Sequence, residues 1–236
     1  MRTRLLPGAL AAVALILPVA SAPAQQRRPA VPAARDWSRT VAPTAEGGFR
    51  MGNPDAPVKI VEYLSLTCPH CAHFAEQGAP RLIRDYVRSG RASLEYRNFV
   101  LNAYDVAATM ISRCAAPENY FALNHAIFAS QSQWVGRIQS MSAEQRRQLQ
   151  DQPPLTSVQR IVAATGLDAI AARHGVTPAR ARACLSSQAG LDRIMAMLQA
   201  GERAGVQGTP SFAINGRLAG NASDWASLEP LLRATQ

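Results

Sequence analysis

The chain has very little lysine for a protein so basic. Its 236 residues include 25 Lys and Arg against 16 Asp and Glu, giving a formal net charge of +9, yet Lys59 is the single lysine. The arginines are scattered along amphipathic stretches and form no dense run with aromatic residues between them. A nucleic-acid-binding face is expected to concentrate positive charge in this way. The sequence therefore predicts an ordinary solvated basic surface and no nucleic-acid partner.

Long apolar runs are also missing beyond the N-terminus, so no later stretch of the sequence is long enough to cross a membrane. Residues 1–4 are basic, residues 5–20 are apolar, and small residues follow up to Ala24. This order is typical of a secretory signal peptide, which we predict to span residues 1–24. An uncleaved N-terminal anchor is the alternative. The signal predicts export to the periplasm, a compartment where disulfides persist.

Cysteine is scarce, and the four cysteines contain one Cys-x-x-Cys pair. Cys68 and Cys71 are too close in sequence for anything but a redox pair or half of a metal site. A metal site needs two more ligands, and no second Cys-x-x-Cys supplies them. Cys114 and Cys184 either form a structural disulfide or remain buried free thiols, and export favours the disulfide. We therefore expect a redox-active Cys68–Cys71 pair, a structural Cys114–Cys184 bridge, no metal and no cofactor.

The Cys-x-x-Cys pair is predicted to lie where a strand turns into a helix. An apolar run at residues 58–64 precedes it, and a helical pattern at residues 72–89 follows. Unpaired backbone N–H groups and the positive end of the helix dipole at such a turn favour a thiolate at Cys68. Pro69 presets the first turn of the helix. A partly protonated His70 imidazole would further lower the pKa of the Cys68 thiol.

Glu62 is the one carboxylate in the predicted strand at residues 58–64. If this strand is buried, desolvation raises the pKa of Glu62 and suits the side chain to carry a proton for the Cys71 thiol. The alternative is an edge position where Glu62 faces solvent.

Thr209 and Pro210 form a second motif, with Gly208 before them and a predicted strand after them. A proline in this setting is a candidate for a cis peptide bond. Placed opposite the cysteines, such a turn would leave a backbone edge open for an extended substrate. An ordinary trans turn is the alternative.

The order of predicted elements indicates an α/β fold with a sheet and helices packed on it. Strands are expected at residues 58–64, 92–100 and 211–214, and Asn215–Gly216 predicts a hairpin turn to a partner at residues 217–220. Helices are expected at residues 72–89, 103–116, 118–133, 142–150, 157–165, 167–174, 178–186, 189–203 and 225–233. We predict a signal peptide (1–24), a flexible leader (25–48), an α/β domain in two parts (49–101 and 205–236) and an inserted helical domain (102–204).

Taken together, these motifs resemble the DsbA-like thiol:disulfide oxidoreductases of the thioredoxin superfamily. The matching residues are Gly52–Val58 before the first core strand, Glu62 six residues before Cys68, Cys68-Pro69-His70-Cys71, and Gly208-Thr209-Pro210. The resemblance covers residue 49 to the C-terminus. It implies a thioredoxin-like mixed sheet with helices on both faces and a large inserted all-helical domain. The extra pair Cys114 and Cys184 departs from the best-known DsbA pattern, although subgroups of the family have one.

The resemblance implies an exported monomer that introduces disulfides into unfolded or partly folded exported proteins with free cysteines. A substrate thiolate attacks Cys68, and a second substrate thiol then displaces it. A membrane partner similar to DsbB would reoxidise the pair. A disulfide isomerase or reductase is the nearest alternative, although residues 25–48 are too short for the N-terminal dimerisation domain of the family's isomerases. An exported metal-binding module using Cys68 and Cys71, or a structural domain with inert cysteines, are alternatives of another class.

Overall fold

The computed structural model describes residues 35–220 and 222–235. The predicted signal peptide and residues 25–34 of the predicted leader lie outside the described residues. The described chain forms a mixed sheet of six strands. The strands are β1 (Val41–Pro43), β2 (Phe49–Gly52), β3 (Val58–Leu64), β4 (Ala92–Asn98), β5 (Ser211–Ile214) and β6 (Arg217–Leu218).

The sheet has the order β1-β2-β4-β3-β5-β6, with β3 near its middle. β3 and β4 run parallel, and every other neighbouring pair is antiparallel. The register places Glu62 of β3 opposite Tyr96 of β4 and Phe212 of β5. Leu64, at the end of β3, is completely buried, and burying such a side chain contributes about 1.5–3 kcal/mol to stability. The predicted thioredoxin-like mixed sheet is confirmed.

Helices occupy much of the rest of the described chain. They are α1 (Pro69–Gln77), α2 (Ala79–Leu82), α3 (Ala103–Ser112), α4 (Tyr120–Ala129), α5 (Gln131–Gln139), α6 (Ala143–Gln150), α7 (Pro154–Thr165), α8 (Leu167–Ala172), α9 (Pro178–Leu185), α10 (Gln188–Arg203) and α11 (Trp225–Ala234). A π-helical turn follows α2 at Ile83–Val87, and 3-10 turns lie at Trp37–Arg39 and Pro117–Asn119. Among the residues described, none of these helices is both long and apolar enough to cross a membrane.

Helices cover both faces of the sheet, as predicted. On one face, the ring of Phe74 in α1 lies 4.7 Å from that of Phe212 in β5. On the other face, α10 approaches at Gly201, where an added Cβ would lie 2.9 Å from the ring of Phe99. Tyr63, which alternates with Glu62 along β3, faces this second helix. A side chain at position 201 would push α10 away from the sheet.

Two helices predicted as continuous are divided in the structure. The pattern at residues 72–89 breaks at Gly78, the C-cap residue of α1. Pro80 lies in the first turn of α2, where its missing N–H removes no helical hydrogen bond. The pattern at residues 118–133 is divided at Ser130, which ends α4 and begins α5.

The ordered fold begins earlier than the predicted start at residue 49. Val41–Pro43, within the predicted flexible leader, pairs with β2 as an added edge strand. The N–H of Trp37 donates to the carbonyl of Arg88 at 3.1 Å. The indole ring lies so close to Gly90 that an added Cβ there would stand 2.7 Å from it. The prediction of a flexible segment is therefore wrong for residues 41–43, because they pair with β2 although the surrounding segment shows no clear periodicity.

The helical segment between β4 and β5 shares a core with the sheet. Phe49 of β2 stacks on Tyr120 of α4 with 3.9 Å between ring centroids. Tyr96 of β4 lies 4.6 Å from Phe121 of the same helix. Buried residues of the sheet and of the helical segment form one continuous hydrophobic cluster. This packing fixes the helices that approach the start of α1.

Candidate active site

Cys68 is the N-cap residue of α1, and Cys71 lies within the first turn of the same helix. Both are free thiols. The side chain of Cys68 is 7% exposed and that of Cys71 is completely buried. Pro69 occupies the first helical turn, and both Pro69 and His70 are exposed. Cys68 is therefore the sulfur that an approaching thiol reaches first.

The surroundings of Cys68 favour its thiolate. A hydrogen bond with the Cys71 thiol, assisted by the Thr209 side chain and the backbone N–H groups of Cys71 and His70, lowers the pKa of Cys68 from 9.0 to about 5. Burial acts in the opposite direction but is outweighed. Cys68 is therefore ionised at neutral pH, as expected for a thiol at a helix start.

The second thiol is shifted the other way. Burial, then the hydrogen bond to Cys68, then the nearby Glu62 carboxylate raise the pKa of Cys71 far above its ordinary value. One cysteine is thus stable as a thiolate while its neighbour one turn away holds its proton. This asymmetry suits a disulfide in which an incoming thiolate attacks the Cys68 sulfur and Cys71 is the leaving group.

Glu62 lies beneath the two thiols in the middle of the sheet. It is 1% exposed, and its Oε2 atom has no hydrogen-bond partner among the described residues. Burial, followed by the charge on Cys68, raises its pKa well above the ordinary value. The alternative of a solvent-facing edge residue is therefore wrong. Folding thus favours the protonated form of Glu62, in a buried site that is electrostatically coupled to Cys68 and to Cys71.

The turn before β5 forms the opposite wall of the site. The Thr209–Pro210 peptide bond is cis. The Sγ atom of Cys68 lies 3.2 Å from the carbonyl oxygen of Thr209, to which the protonated thiol donates a hydrogen bond. The Thr209 hydroxyl helps to lower the pKa of Cys68, although it is buried and forms no regular hydrogen bond with any of the described residues. The structure therefore brings Pro210 and Cys68 together, although they are far apart in the sequence.

His70 acts on Cys68 through its backbone. Its side chain is exposed, and the contribution to the lowered pKa of Cys68 comes from the His70 N–H group. The predicted effect of a protonated His70 imidazole stays a prediction.

Two buried or half-buried polar residues beside the site were not singled out from the sequence. Asp105 in α3 is completely buried and accepts hydrogen bonds from the N–H of Leu66 at 2.8 Å and of Leu101 at 2.9 Å. Burial raises the pKa of Asp105 to about 6, against the opposing effect of its hydrogen bonds. Gln131, the first residue of α5, donates to the carbonyl of Cys68 at 3.0 Å. In the sequence, Asn102 lies three residues before Asp105, a spacing typical of an N-cap. This spacing indicates that a helix starts there, but it does not indicate that Asp105 contacts the active-site loop.

Cys114 and Cys184 form a disulfide with 5.7 Å between Cα atoms. Cys114 follows α3, and Cys184 lies in α9. The bond therefore joins two helices across 70 residues of sequence.

A groove of about 450 Å³ runs between α1 and α4, beside Pro69. His73, Glu76 and His125 are among its lining residues. No group of three or more His, Cys, Asp or Glu side chains in residues 35–220 and 222–235 is arranged to hold a metal ion. The described residues therefore offer Cys68 and Cys71 no further protein ligands for a shared ion.

Comparison with known proteins places this site in a family. Residues 44–234 match the sequence model of the family described as "Thioredoxin". A protein-disulfide isomerase from Novosphingobium aromaticivorans is 35% identical, with a TM-score of 0.74 over 78% of this chain and 95% of that one. Wolbachia pipientis alpha-DsbA1 has a similar fold at 23% identity, with a TM-score of 0.59 over 79% of this chain and 89% of that one. The chain belongs to the thioredoxin family.

Curated relatives of this thioredoxin-family chain include a Rickettsia bellii protein that is provisionally named a protein-disulfide oxidoreductase. It is 30% identical over 173 residues, which are 72% of this chain and 58% of that protein. The chain thus spans somewhat more than half the length of the curated relatives it matches.

Proposed function

We propose that this DsbA-like chain is an exported thiol:disulfide oxidoreductase that introduces disulfides into other exported proteins. The observation that carries the proposal is the opposite shift of two neighbouring thiols. The pKa of Cys68 is lowered to about 5, whereas that of buried Cys71 is raised. Stabilising one thiolate of the reduced pair makes the disulfide form a stronger oxidant.

The oxidised protein carries a Cys68–Cys71 disulfide in this proposal. A substrate thiolate attacks the Cys68 sulfur, the bond between the two cysteines breaks, and Cys71 leaves with the electron pair. Because the Cys71 thiolate is strongly disfavoured by burial, it takes up a proton, and Glu62 below it is the proposed donor. A second substrate thiolate then attacks the substrate sulfur, and Cys68 leaves as a stable thiolate. The substrate has lost two electrons and gained a disulfide, and the protein is left as the dithiol.

Substrate recognition is proposed to use the backbone beside Pro210. The Thr209 carbonyl lies next to the reactive sulfur, so an extended substrate could pair there as an added strand. We propose that residues 102–204 serve as the inserted helical domain beside this opening. Because such pairing uses the substrate backbone and not particular side chains, it gives broad specificity for unfolded or partly folded proteins. The proposed protein is a periplasmic monomer, delivered there by the signal peptide and reoxidised by a DsbB-like membrane partner.

A disulfide isomerase is the second candidate, because the Novosphingobium relative with 35% identity bears that name. An isomerase would reshuffle wrong disulfides and work mainly as the dithiol. The same acidic Cys68 could attack a substrate disulfide, so the chemistry of the site does not separate the two functions. Activity on a dithiol peptide compared with activity on a scrambled-disulfide protein separates them.

The deciding experiment is equilibration of the purified chain with a glutathione redox buffer, followed by oxidation of a reduced peptide that contains two cysteines. A reduction potential less negative than about −200 mV, with stoichiometric peptide oxidation, supports the oxidase. A potential near about −270 mV, in the range of thioredoxin, overturns it in favour of a reductase. Repair of a scrambled-disulfide protein, without oxidation of the dithiol peptide, would support the isomerase.

A further inference from the structure

The loop that joins β3 to Cys68 is held at its centre by two side chains from the helical segment. The N–H of Leu66 donates to Oδ1 of Asp105 at 2.8 Å, and its carbonyl accepts from Nε2 of Gln131 at 2.8 Å. Leu66 itself is completely buried. Leaving a buried backbone N–H or carbonyl group without a hydrogen-bond partner destabilises the fold. The two contacts therefore restrict where the loop before Cys68 can lie.

Gln131 makes a second contact, which reaches the reactive cysteine. Its Nε2 donates to the carbonyl of Cys68 at 3.0 Å. The N–H of Ala72 donates to the same oxygen at 3.2 Å, as part of the first turn of α1. A single amide group thus joins the start of α1 to the loop that precedes it.

The position of Gln131 is itself fixed by packing. It is the first residue of α5, and its side chain is half-buried. Trp134, one turn further along, is 1% exposed, and its indole N–H donates to the carbonyl of Ile127 at 3.1 Å. This contact ties α5 to α4. The Gln131 amide therefore projects from a fixed helix toward the redox loop.

We propose that Gln131 is a positioning residue for Cys68, which holds the sulfur where the surrounding hydrogen-bond donors reach it. The inference rests on the proposed redox function. Gln131 does not touch the sulfur and acts through the carbonyls of Leu66 and Cys68. Hydrogen bonds weaken steeply as their angle departs from linear. A displaced loop would therefore weaken the contacts that Cys68 makes with Cys71 and Thr209, and the thiolate would lose part of its stabilisation.

The test compares Gln131→Ala and Gln131→Met with the wild-type full chain, all in the reduced state. Methionine keeps the length and bulk of the glutamine side chain but cannot donate a hydrogen bond. The Gln131→Met variant therefore tests the proposal even if Gln131→Ala folds poorly. Gln133→Ala is the matched control, because Gln133 is an exposed glutamine on the same helix. Thiolate absorbance is followed against pH, and the dithiol is equilibrated with glutathione.

Loss of the amide should raise the apparent pKa of Cys68 by about one unit, which is a tenfold change in its ionisation. The glutathione equilibrium should move about tenfold toward the protein disulfide, because the reduced form has lost stability. Gln133→Ala should behave as the wild type in both measurements.

The proposal is overturned if folded Gln131→Met titrates and equilibrates as the wild type does. A merely structural role would lower the free energy of unfolding and leave the thiol titration unchanged, which also overturns it. Failure of the proposed function looks different: the wild type itself would then show no acidic thiol or would fail to oxidise a dithiol peptide.

Discussion

The sulfur of Cys68 lies 3.2 Å from the carbonyl oxygen of Thr209, although 141 positions separate the two residues in the chain. The contact brings the start of α1 against the turn that leads into β5. In the proposed function, a thiol that attacks Cys68 approaches along the backbone of residues 209 and 210. The site combines a reactive sulfur and a strip of backbone that can align the attacking chain.

Alkylation of the reduced protein should distinguish its two thiols. Cys68 should react with iodoacetamide with a pH midpoint near about 5, while Cys71 stays unmodified because it is buried and holds its proton. Mass spectrometry of digested protein, alkylated briefly over a range of pH, measures both rates. The variant Cys71→Ser serves as a control for assigning the modified site. Equal reactivity of the two cysteines in the wild type would contradict the asymmetry.

Replacement of Glu62 by glutamine should slow thiol–disulfide exchange while leaving the fold intact. The amide keeps the shape of the side chain but cannot supply the proton that Cys71 needs, and loss of a general acid typically costs on the order of 10²-fold in rate. Stopped-flow oxidation of a dithiol peptide measures the effect. Glu76→Gln, an exposed carboxylate on α1, is the matched control. An unchanged rate in Glu62→Gln would remove Glu62 from the proton pathway.

The reduced form should gain stability relative to the oxidised form as pH rises from about 5 toward 9. The pKa of Cys68 is lowered from 9.0 to about 5 by folding, so the stabilisation is fully present above the unfolded pKa and is lost as pH falls through the folded one. The raised pKa of Asp105 acts in both redox forms and largely cancels in the comparison. Urea unfolding of the two forms at several pH values measures the difference. If the difference in unfolding free energy between the reduced and oxidised forms stays constant over this pH range, Cys68 titrates with its ordinary pKa.

Removal of the Cys114–Cys184 disulfide should destabilise the fold. The bridge closes a loop across 70 residues, and a loop of that size is expected to contribute about 4 kcal/mol by restricting the unfolded chain. The double variant Cys114→Ala and Cys184→Ala, unfolded in urea, tests this, with the oxidised wild type as reference. A loss below about 1 kcal/mol would indicate that native strain or residual structure offsets the restriction.

Sequence reasoning located the parts of the site whose chemistry is local. The Cys-x-x-Cys pair and the Thr209–Pro210 turn each depend on a few neighbouring residues. Glu62 was singled out as well, although the sequence left open whether it is buried, and the structure brings these residues together. Asp105 and Gln131 escaped notice because their roles exist only after folding. Asp105 contacts Leu66 across 39 positions and Gln131 contacts it across 65, and no local pattern records such a pairing.

The same distinction explains the errors in the fold. The break at Gly78 and the division at Ser130 fall inside continuous helical patterns, where packing against other elements decides the boundary. β1 was missed because a strand of three residues that ends in proline carries little local strand signal. Pairing with β2 stabilises it in the folded chain. The hairpin at Asn215–Gly216 was found because both residues adopt the positive φ angles, 49° and 81°, that its turn requires.

The two outer strands of the sheet have a consequence for self-association. β1 is three residues long and ends in Pro43, which has no N–H to offer, and β6 is only two residues long. Long, flat outer strands act as templates on which other extended chains aggregate, and short or proline-containing ones do not. The proposed substrates of this chain are unfolded proteins that can form strands. Its short edge strands offer these substrates little unpaired backbone on which to aggregate.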